Sequence, residues 1–509
     1  MAPKILFDIP HFTSYMLPGI LQRQKEQDVK KFFLVCTVLI ISVVVGYWGL
    51  AKYKNRRITP DYYEVYKTQD TVPVGKVGVF TIGLIMPETL ENPQFFYNIA
   101  HKIFKNIIPW PFRLFSYMDK GIALFDTEKY LEEKEFTPKK LIDMQGRDRF
   151  LDGEPYIEKY KRGEVVWVPP SKRIHKDIGY FLYTDAKGGL PNLVGKMIIK
   201  ARLWYYDKGM KQKKVPHWAQ TFSIIDRVFE KTGNKYDNVM FRAESSMYYY
   251  EMKTKIYEML DAGCETLVLI SPMMIYSHFE EFNSAFYHCF EYVHEWEQEN
   301  PGKKIKVIMA PQPGDFQPAR QAFLDMLKDR LDTLPEGSDV FVAVTVHGMP
   351  WAQFPWEAWL ELAPAYRDKL HAEVKELLKK YTFGRTKTVE CQDEFASHVW
   401  DHDDNYLSTR EAYQIAIDEK FDYAIGLPIE FIAENTDTLF YHALKNYEDF
   451  DDYDIYEQFD YPNWNVPFTL EFKQKDTQVI YNGVPVGKYS DHMVEAFCMS
   501  LDTILSQRK

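Results

Sequence analysis

The sequence predicts an α/β protein with parallel sheets that follows one N-terminal transmembrane helix. An uncharged apolar stretch of twenty residues, 32–51, predicts the membrane helix. Short, almost continuously apolar runs predict strands that are buried on both faces, as parallel strands are. Amphipathic segments separate these runs, and this βαβ rhythm places helices on both faces of each sheet. The predicted strands are 76–85, 265–271, 304–310, 339–348, 386–392 and 421–428.

The stretch at 32–51 has the length and the flanks of a single membrane span. At a rise of about 1.5 Å per residue, its twenty residues cross a hydrocarbon core of about 30 Å. Lys30 and Lys31 precede it and Lys52 and Lys54 follow it, so the flanking charges leave its orientation open. A cleaved signal peptide is excluded because the run begins late, is too long and lacks a small-x-small site. The alternative to a span is a buried core helix.

Behind the span, helical patterns alternate with the predicted strands. The segment 86–235 is less regular and is expected to hold insertions. Near the end, Asn482-Gly483 lies between two β-like runs and predicts a hairpin turn. The predicted helices are 247–262, 277–299, 318–334, 356–381, 409–420 and 490–505.

Composition and the absence of several motifs exclude some classes of function. The net charge is −11 and no basic run occurs beyond the flanks of the span, which argues against a nucleic-acid partner. Five scattered cysteines, without a CxxC pair, indicate neither a disulfide framework nor a zinc ribbon. Neither GxGxxG nor GxxxxGK[ST] occurs, so dinucleotide and P-loop binding lack their usual motifs.

Two places at the ends of predicted strands carry candidate functional residues, because open α/β sheets bind ligands beyond the carboxyl ends of their strands. His347 lies at the tip of an apolar strand, before a Gly-Met-Pro turn; the alternative is a turn or core residue. Beyond the strand that ends at residue 428, a series of acids and one phenol follows at helical spacing. The alternative for this series is a solvated face at a helix N-terminus. Its members are Glu430, Glu434, Asp437 and Tyr441.

Two polar segments could each have a function, but each could also be a simple surface loop. HVWDHDD, at 398–404, could bind a divalent cation or could form an acidic surface loop. The acidic and aromatic run at 447–461 indicates an exposed loop or a surface for a protein partner. The residues themselves therefore predict no definite metal site.

Four segments, taken in chain order, resemble the ferrochelatase family of class II chelatases, which insert ferrous iron into protoporphyrin IX. They read VGVFTIGLIMPETLENPQFFYNIA, NVMFRAESSMYYYEMKTKIYEMLDAGCETLVLISPMMIYSHFEEFNSAF, SDVFVAVTVHGMP and DYAIGLPIEFIAENTDTLFYHAL. The resemblance covers about residues 75–506, with insertions. It implies two Rossmann-like halves with a porphyrin cleft between them. The expected organisation is a tail at 1–31, the span, a linker at 52–74, and halves at 75–310 and 311–509.

The resemblance also implies roles for individual residues. His347 takes the place of the family's catalytic His, which accepts pyrrole protons, and Asp437 the place of its catalytic Glu. Substrate contacts are expected from Glu434 and Asn435, which match the family's Asp and His. They are also expected from Arg242, which matches its Arg, and from Tyr441 on the helix that follows. Porphyrin or haem and ferrous iron are the ligands that an active member would take.

Departures from the family pattern count against activity. Replacing Glu by Asp437 withdraws the carboxylate by one methylene, and Asn435 cannot accept a proton near neutral pH. The family's His-Ser-Leu-Pro also becomes His-Gly-Met-Pro, at 347–350. A fold retained without its reaction is expected to drift in this way.

These observations predict a divergent, non-catalytic ferrochelatase-like subunit that the span at 32–51 anchors in a membrane protein complex. The expected location is the mitochondrial inner membrane, and the expected partners are the other subunits of the complex. The first alternative is an active, membrane-anchored ferrochelatase that completes haem biosynthesis. The second is a protein that binds haem or porphyrin without inserting metal.

Overall fold

The computed structural model describes seven main segments: 61–86, 215–246, 249–348, 357–393, 407–435, 437–444 and 461–508. It also describes Ser42, Arg162 and three short strands, β2 to β4, at Ile122–Leu124, Val165–Val168 and Tyr180–Tyr183. The predicted tail, almost all of the predicted span, the HVWDHDD segment and most of the acidic run at 447–461 lie outside these residues. Within the described part of the chain, no helix has the length and apolar character needed to cross a membrane.

The first sheet has four strands, all parallel, in the order β5-β1-β6-β7. All seven residues of β1 are buried, as its continuously apolar sequence requires. Helices follow the strands, and Pro216 begins the longest of them, α2. The strands are β1 Val77–Gly83, β5 Val239–Ser245, β6 Thr266–Ile270 and β7 Lys306–Met309; the helices are α1 Tyr62–Thr68, α2 Pro216–Lys235, α3 Tyr249–Asp261, α4 Phe286–Glu299 and α5 Gln317–Leu331.

The second sheet has six strands in the order β10-β9-β8-β11-β13-β12, and only the β12–β13 pair is antiparallel. Its central strand β8 is also buried at all seven positions. A capping box formed by Ser408 and Glu411 fixes the start of helix α7. The strands are β8 Val340–Val346, β9 Thr386–Gln392, β10 Leu407–Ser408, β11 Tyr423–Pro428, β12 Leu470–Gln474 and β13 Thr477–Tyr481; the helices are α6 Ala358–Leu378, α7 Thr409–Asp418 and α8 Ser490–Leu505.

The two sheets repeat one strand order. Counted along the chain, the four strands of the first sheet lie side by side in the order second, first, third, fourth. Four parallel strands of the other sheet, β9, β8, β11 and β13, lie in the same order. In both sheets the third strand is followed by a π-helix, at His278–Ala285 and at Asp437–Leu444. Such wide turns are rare and are frequently found at functional sites.

The structure confirms the prediction of an α/β protein with parallel sheets, and three local predictions are corrected. The hairpin turn lies at Lys475-Asp476, between β12 and β13, and not at Asn482-Gly483. The helix predicted at 277–299 begins as a π-helix before α4. Helix α2 lies inside 86–235, where the sequence showed little regularity.

Candidate functional site: the cleft between the two sheets

Among the parallel strands, the chain order reverses once in each sheet, between β1 and β6 and between β8 and β11. Loops that leave such a switch point form the usual ligand site of an open α/β sheet. Here the loops from both switch points line one cleft, together with helix α2 and the first π-helix. Its lining residues are Leu84, Met86, Pro272 and Met273 from the first sheet's loops, His217 and Thr221 from α2, Glu280 from the π-helix, and Phe431, Ile432, Ala433, Asn435 and Asp437 from beyond β11.

The cleft is narrow. Its cavity volume is about 20 Å³. A single water molecule needs roughly 10–15 Å³ of such volume. Sites for small ligands enclose roughly 300–1,000 Å³. As it stands, the cleft therefore has room for about one water molecule and no room for a macrocycle.

His347 leaves the carboxyl end of β8 and is 14% exposed. Its backbone N–H donates to the Glu430 carboxylate at 2.6 Å. Its Nδ1 lies 3.2 Å from the Gly348 carbonyl and 3.8 Å from Asp393 Oδ2, and its ring lies 5.9 Å from the ring of Phe431. Since Nδ1 faces two oxygen acceptors, these contacts favour a protonated Nδ1.

Four carboxylates from both halves of the chain set the charge of His347. Burial by itself lowers the pKa of this histidine, because it disfavours the charged form. The negative charges around the ring outweigh that effect and raise the pKa to about 9. His347 is therefore an imidazolium at neutral pH. The four carboxylates, largest contribution first, belong to Asp393, Asp437, Glu280 and Glu430.

Sequence reasoning missed Asp393, which directly follows β9. Its carboxylate lies 3.3 Å from His442 Nε2, and His442 Nδ1 lies 2.8 Å from the Thr345 hydroxyl. The close approach of the Asp393 backbone to residue 348 requires glycine there, because a Cβ would lie 2.2 Å from the Asp393 carbonyl oxygen. The glycine at 348 therefore permits the loop after β8 to pack against Asp393. An acid directly after a predicted strand was the available signal for Asp393.

Glu430 fixes the loop that carries His347. Its carboxylate accepts from the His347 backbone N–H and from the indole N–H of Trp359 on α6. Burial raises the pKa of Glu430 to about 7, although these hydrogen bonds and the charge of His347 oppose the rise. The residue is 3% exposed. Both of its oxygens therefore serve the internal structure.

The predicted alignment of Glu430, Glu434, Asp437 and Tyr441 on one helical face is wrong. Residues 429–435 form turns and bends, and the π-helix begins only at Asp437. Asn435 causes the late start, since its side-chain oxygen accepts from the backbone N–H groups of Asp437 and Thr438 at 2.7 and 3.0 Å. The amide of Asn435 therefore caps a helix, as such side chains commonly do.

Glu434 and Asp437 face different surroundings. Glu434 is fully buried, and its carboxylate accepts from the Tyr481 hydroxyl at 3.0 Å and from the Val484 backbone N–H at 3.1 Å. Burial raises the pKa of Glu434 to about 7, against these hydrogen bonds. Asp437, by contrast, is 9% exposed and lines the cleft. The structure therefore brings Asp437 and Asn435 to the cleft, with His347 close by, whereas the Glu434 carboxylate binds the loop after β13.

Arg242 does not reach this cleft. It lies in the middle of the edge strand β5, is 39% exposed and pairs with Glu258 at 3.4 Å. Tyr441 belongs to the second π-helix, but its side chain lies outside the described set. No group of three or more His, Cys, Asp or Glu side chains among the described residues has an arrangement that could hold a metal ion.

Comparisons with known proteins add little to this picture. No protein-family model matches the chain, and neither does any curated protein. Among solved structures, the chain is similar to SirB from Bacillus subtilis with Fe3+, with a TM-score of 0.32 and 9% sequence identity. The match covers 59% of this chain and 93% of that chain. At these values the likeness is weak.

Proposed function

We propose that the chain is a non-catalytic, ferrochelatase-like subunit, anchored by residues 32–51 in a membrane protein complex of the mitochondrial inner membrane. One observation carries the non-catalytic part of the proposal. The cleft at the paired switch points has a cavity volume of about 20 Å³, far below the roughly 300 Å³ of the smallest usual ligand sites. A protein whose ligand cleft is packed shut keeps the fold for a purpose other than chemistry in that cleft.

The charge of His347 supports the same proposal. Inserting a metal into a porphyrin requires a base for two pyrrole protons, and a histidine can act as that base only in its neutral form. With a pKa of about 9, only roughly 3% of His347 is neutral at pH 7.5. The family's second proton acceptor is replaced by Asn435, whose side-chain oxygen caps the π-helix.

A second candidate function is the active ferrochelatase, which takes ferrous iron and protoporphyrin IX as substrates. One observation favours it: Glu280 and Asp437 line the cleft from opposite halves, and His347 lies near enough to respond to both charges. Carboxylates that line a cleft, with a histidine near them, are suitable groups for guiding a cation. This function requires the cleft to open.

A direct assay separates the two candidates. The purified full chain in detergent is supplied with ferrous iron and protoporphyrin IX under reducing conditions, and haem is followed by its absorbance. We expect haem to form no faster than in the absence of protein. Turnover above that background, abolished by His347→Ala and retained by His371→Ala, would establish the enzyme instead. His371 suits as a control because it lies in α6 and binds Glu390 and Thr388, outside the cleft lining.

The subunit part of the proposal has its own test. Membranes are extracted with a mild detergent, and the native mass of the tagged chain is measured by electrophoresis and mass spectrometry. We expect the chain to migrate in an assembly far larger than its own 60.2 kDa, with stoichiometric partners. Recovery of the monomer alone would refute the assignment. A haem titration with a rising Soret band would favour the porphyrin-binding alternative.

A further inference from the structure

A larger cavity, distinct from the cleft, lies against another face of helix α2. Its volume is about 310 Å³, which is at the lower end of the range for small-molecule sites. Helix α2 forms one wall, and the segment at 464–465 and the start of α8 form the other. His217 and Thr221 of α2 face the cleft, whereas five other residues of the same helix face this cavity: Ala219, Gln220, Ser223, Ile224 and Arg227.

Arg227 supplies a positive charge to the cavity wall. Its guanidinium donates to the Ser490 hydroxyl at 2.7 Å and also to the Asp491 carboxylate. Asp491 is 71% exposed, so water screens this ion pair and makes it weak. A guanidinium presents a planar fork of donors that fits a phosphate or a carboxylate in a bidentate manner. An anion inside the cavity could therefore displace Asp491 from Arg227.

Trp464 supplies an aromatic face and an unused donor. The residue is partly buried and lines the cavity, and its indole N–H is buried without a hydrogen-bond partner among the described residues. Buried indole N–H groups usually have a partner, so this one leaves a hydrogen bond unmade beside the cavity. Ile224 and Val486 add apolar surface beside it. The cavity thus combines one cation, one flat aromatic ring and a small apolar floor.

We propose that this cavity binds a small organic anion, in which a flat ring carries a phosphate or a carboxylate. Arg227 binds the anionic group, and the ring packs against Trp464 and the apolar floor. The proposal stands independently of any role for the cleft, because its lining residues are different.

Calorimetry with two matched pairs of probes tests the ligand class on the purified full chain in detergent. Adenosine monophosphate and anthranilate supply the ring with a phosphate or a carboxylate, whereas adenosine and aniline supply similar rings without the anion. We expect saturable binding of at least one anion with a Kd below about 1 mM. The affinity of its uncharged analogue should be lower by a factor of about ten or more. The absence of saturable binding for both anions overturns the proposal.

Three variants assign the residues. Arg227→Gln should weaken anion binding about tenfold or more, whereas Asp491→Asn, which removes the competing carboxylate, should strengthen it severalfold. The control is Lys235→Gln, which breaks the ion pair of Lys235 with Asp502 between the same two helices, outside the cavity. It should leave the affinity unchanged. If Lys235→Gln weakens binding as much as Arg227→Gln does, Arg227 acts through the helix contact and the assignment fails.

Discussion

The buried charge of His347 predicts how the free energy of unfolding depends on pH. The pKa of His347 rises from 6.5 to about 9 in the folded chain, so the folded state binds this proton more tightly than the unfolded state does. The resulting stabilisation is complete below pH 6.5 and is lost as the pH rises through 9. At about 1.4 kcal/mol per pKa unit, the loss amounts to about 3 kcal/mol. The wild-type chain should therefore be less stable at pH 9.5 than at pH 6.

Urea unfolding of the full chain, followed by tryptophan fluorescence between pH 6 and 9.5, measures this loss. His347→Gln removes this titrating group, so its free energy of unfolding should fall less steeply than that of wild type between pH 8 and 9.5. That range is above the pKa of about 7 of Glu430 and Glu434, whose titration both proteins share at lower pH. The control His492→Gln changes a histidine that pairs with Asp325 at the surface, and it should keep the wild-type slope. Asp393→Asn, which removes the largest favourable charge, should reduce the slope. An identical slope in wild type and His347→Gln would refute the argument.

Three further substitutions have predicted signs, each measured as a change in the free energy of unfolding in urea. Gly348→Ala should destabilise the chain by about 1–3 kcal/mol, because its Cβ would lie 2.2 Å from the Asp393 carbonyl oxygen. An unchanged free energy would show that the loop after β8 can move away from Asp393 at no cost. Gly233→Ala should stabilise it by about 0.5–1 kcal/mol, since this exposed α2 position offers a new Cβ only an ordinary contact at 3.6 Å with Phe241; destabilisation would contradict the helix-propensity argument. Tyr63→Ala should cost about 3–5 kcal/mol, because Tyr63 of α1 is 3% exposed, and a loss below 1 kcal/mol would mean that α1 is not part of the cooperative core.

The strands were predictable because burial on both faces leaves a continuous apolar run in the sequence. The run at 339–348 contains Val340–Val346, and the run at 386–392 coincides with its strand. The pair Asn482-Gly483 did mark a turn, but it is not the hairpin turn, which lies earlier in the chain between β12 and β13. Gly483 does have the left-handed φ of +73° that such a turn needs, but it turns the chain after β13, where a Cβ would lie 2.3 Å from the Phe468 carbonyl oxygen.

The candidate site was only partly predictable, because side-chain partners lie far apart in the sequence. His347 could be found because it ends an apolar strand. The direction in which the Glu434 side chain points could not be predicted, because one of its hydrogen-bond donors, Tyr481, lies 47 residues later in the chain. Asp393 could not be assigned to His347 either, because their approach depends on the missing side chain at Gly348. Sequence patterns locate strand ends, whereas packing decides which of the charged groups there meet.

Helix α2 connects the closed cleft with the larger cavity through one buried side chain. Gln220 accepts from the Glu434 backbone N–H at 2.8 Å and donates to the Tyr461 hydroxyl and the Trp464 carbonyl at 2.9 and 2.8 Å. It therefore holds the loop that leads to Asn435 and the cavity wall at the same time. Opening the cleft by moving α2 would break these hydrogen bonds, and a ligand held between Arg227 and Trp464 would oppose that movement. Occupation of the cavity is therefore expected to keep the cleft closed, although the two sites share no lining residue.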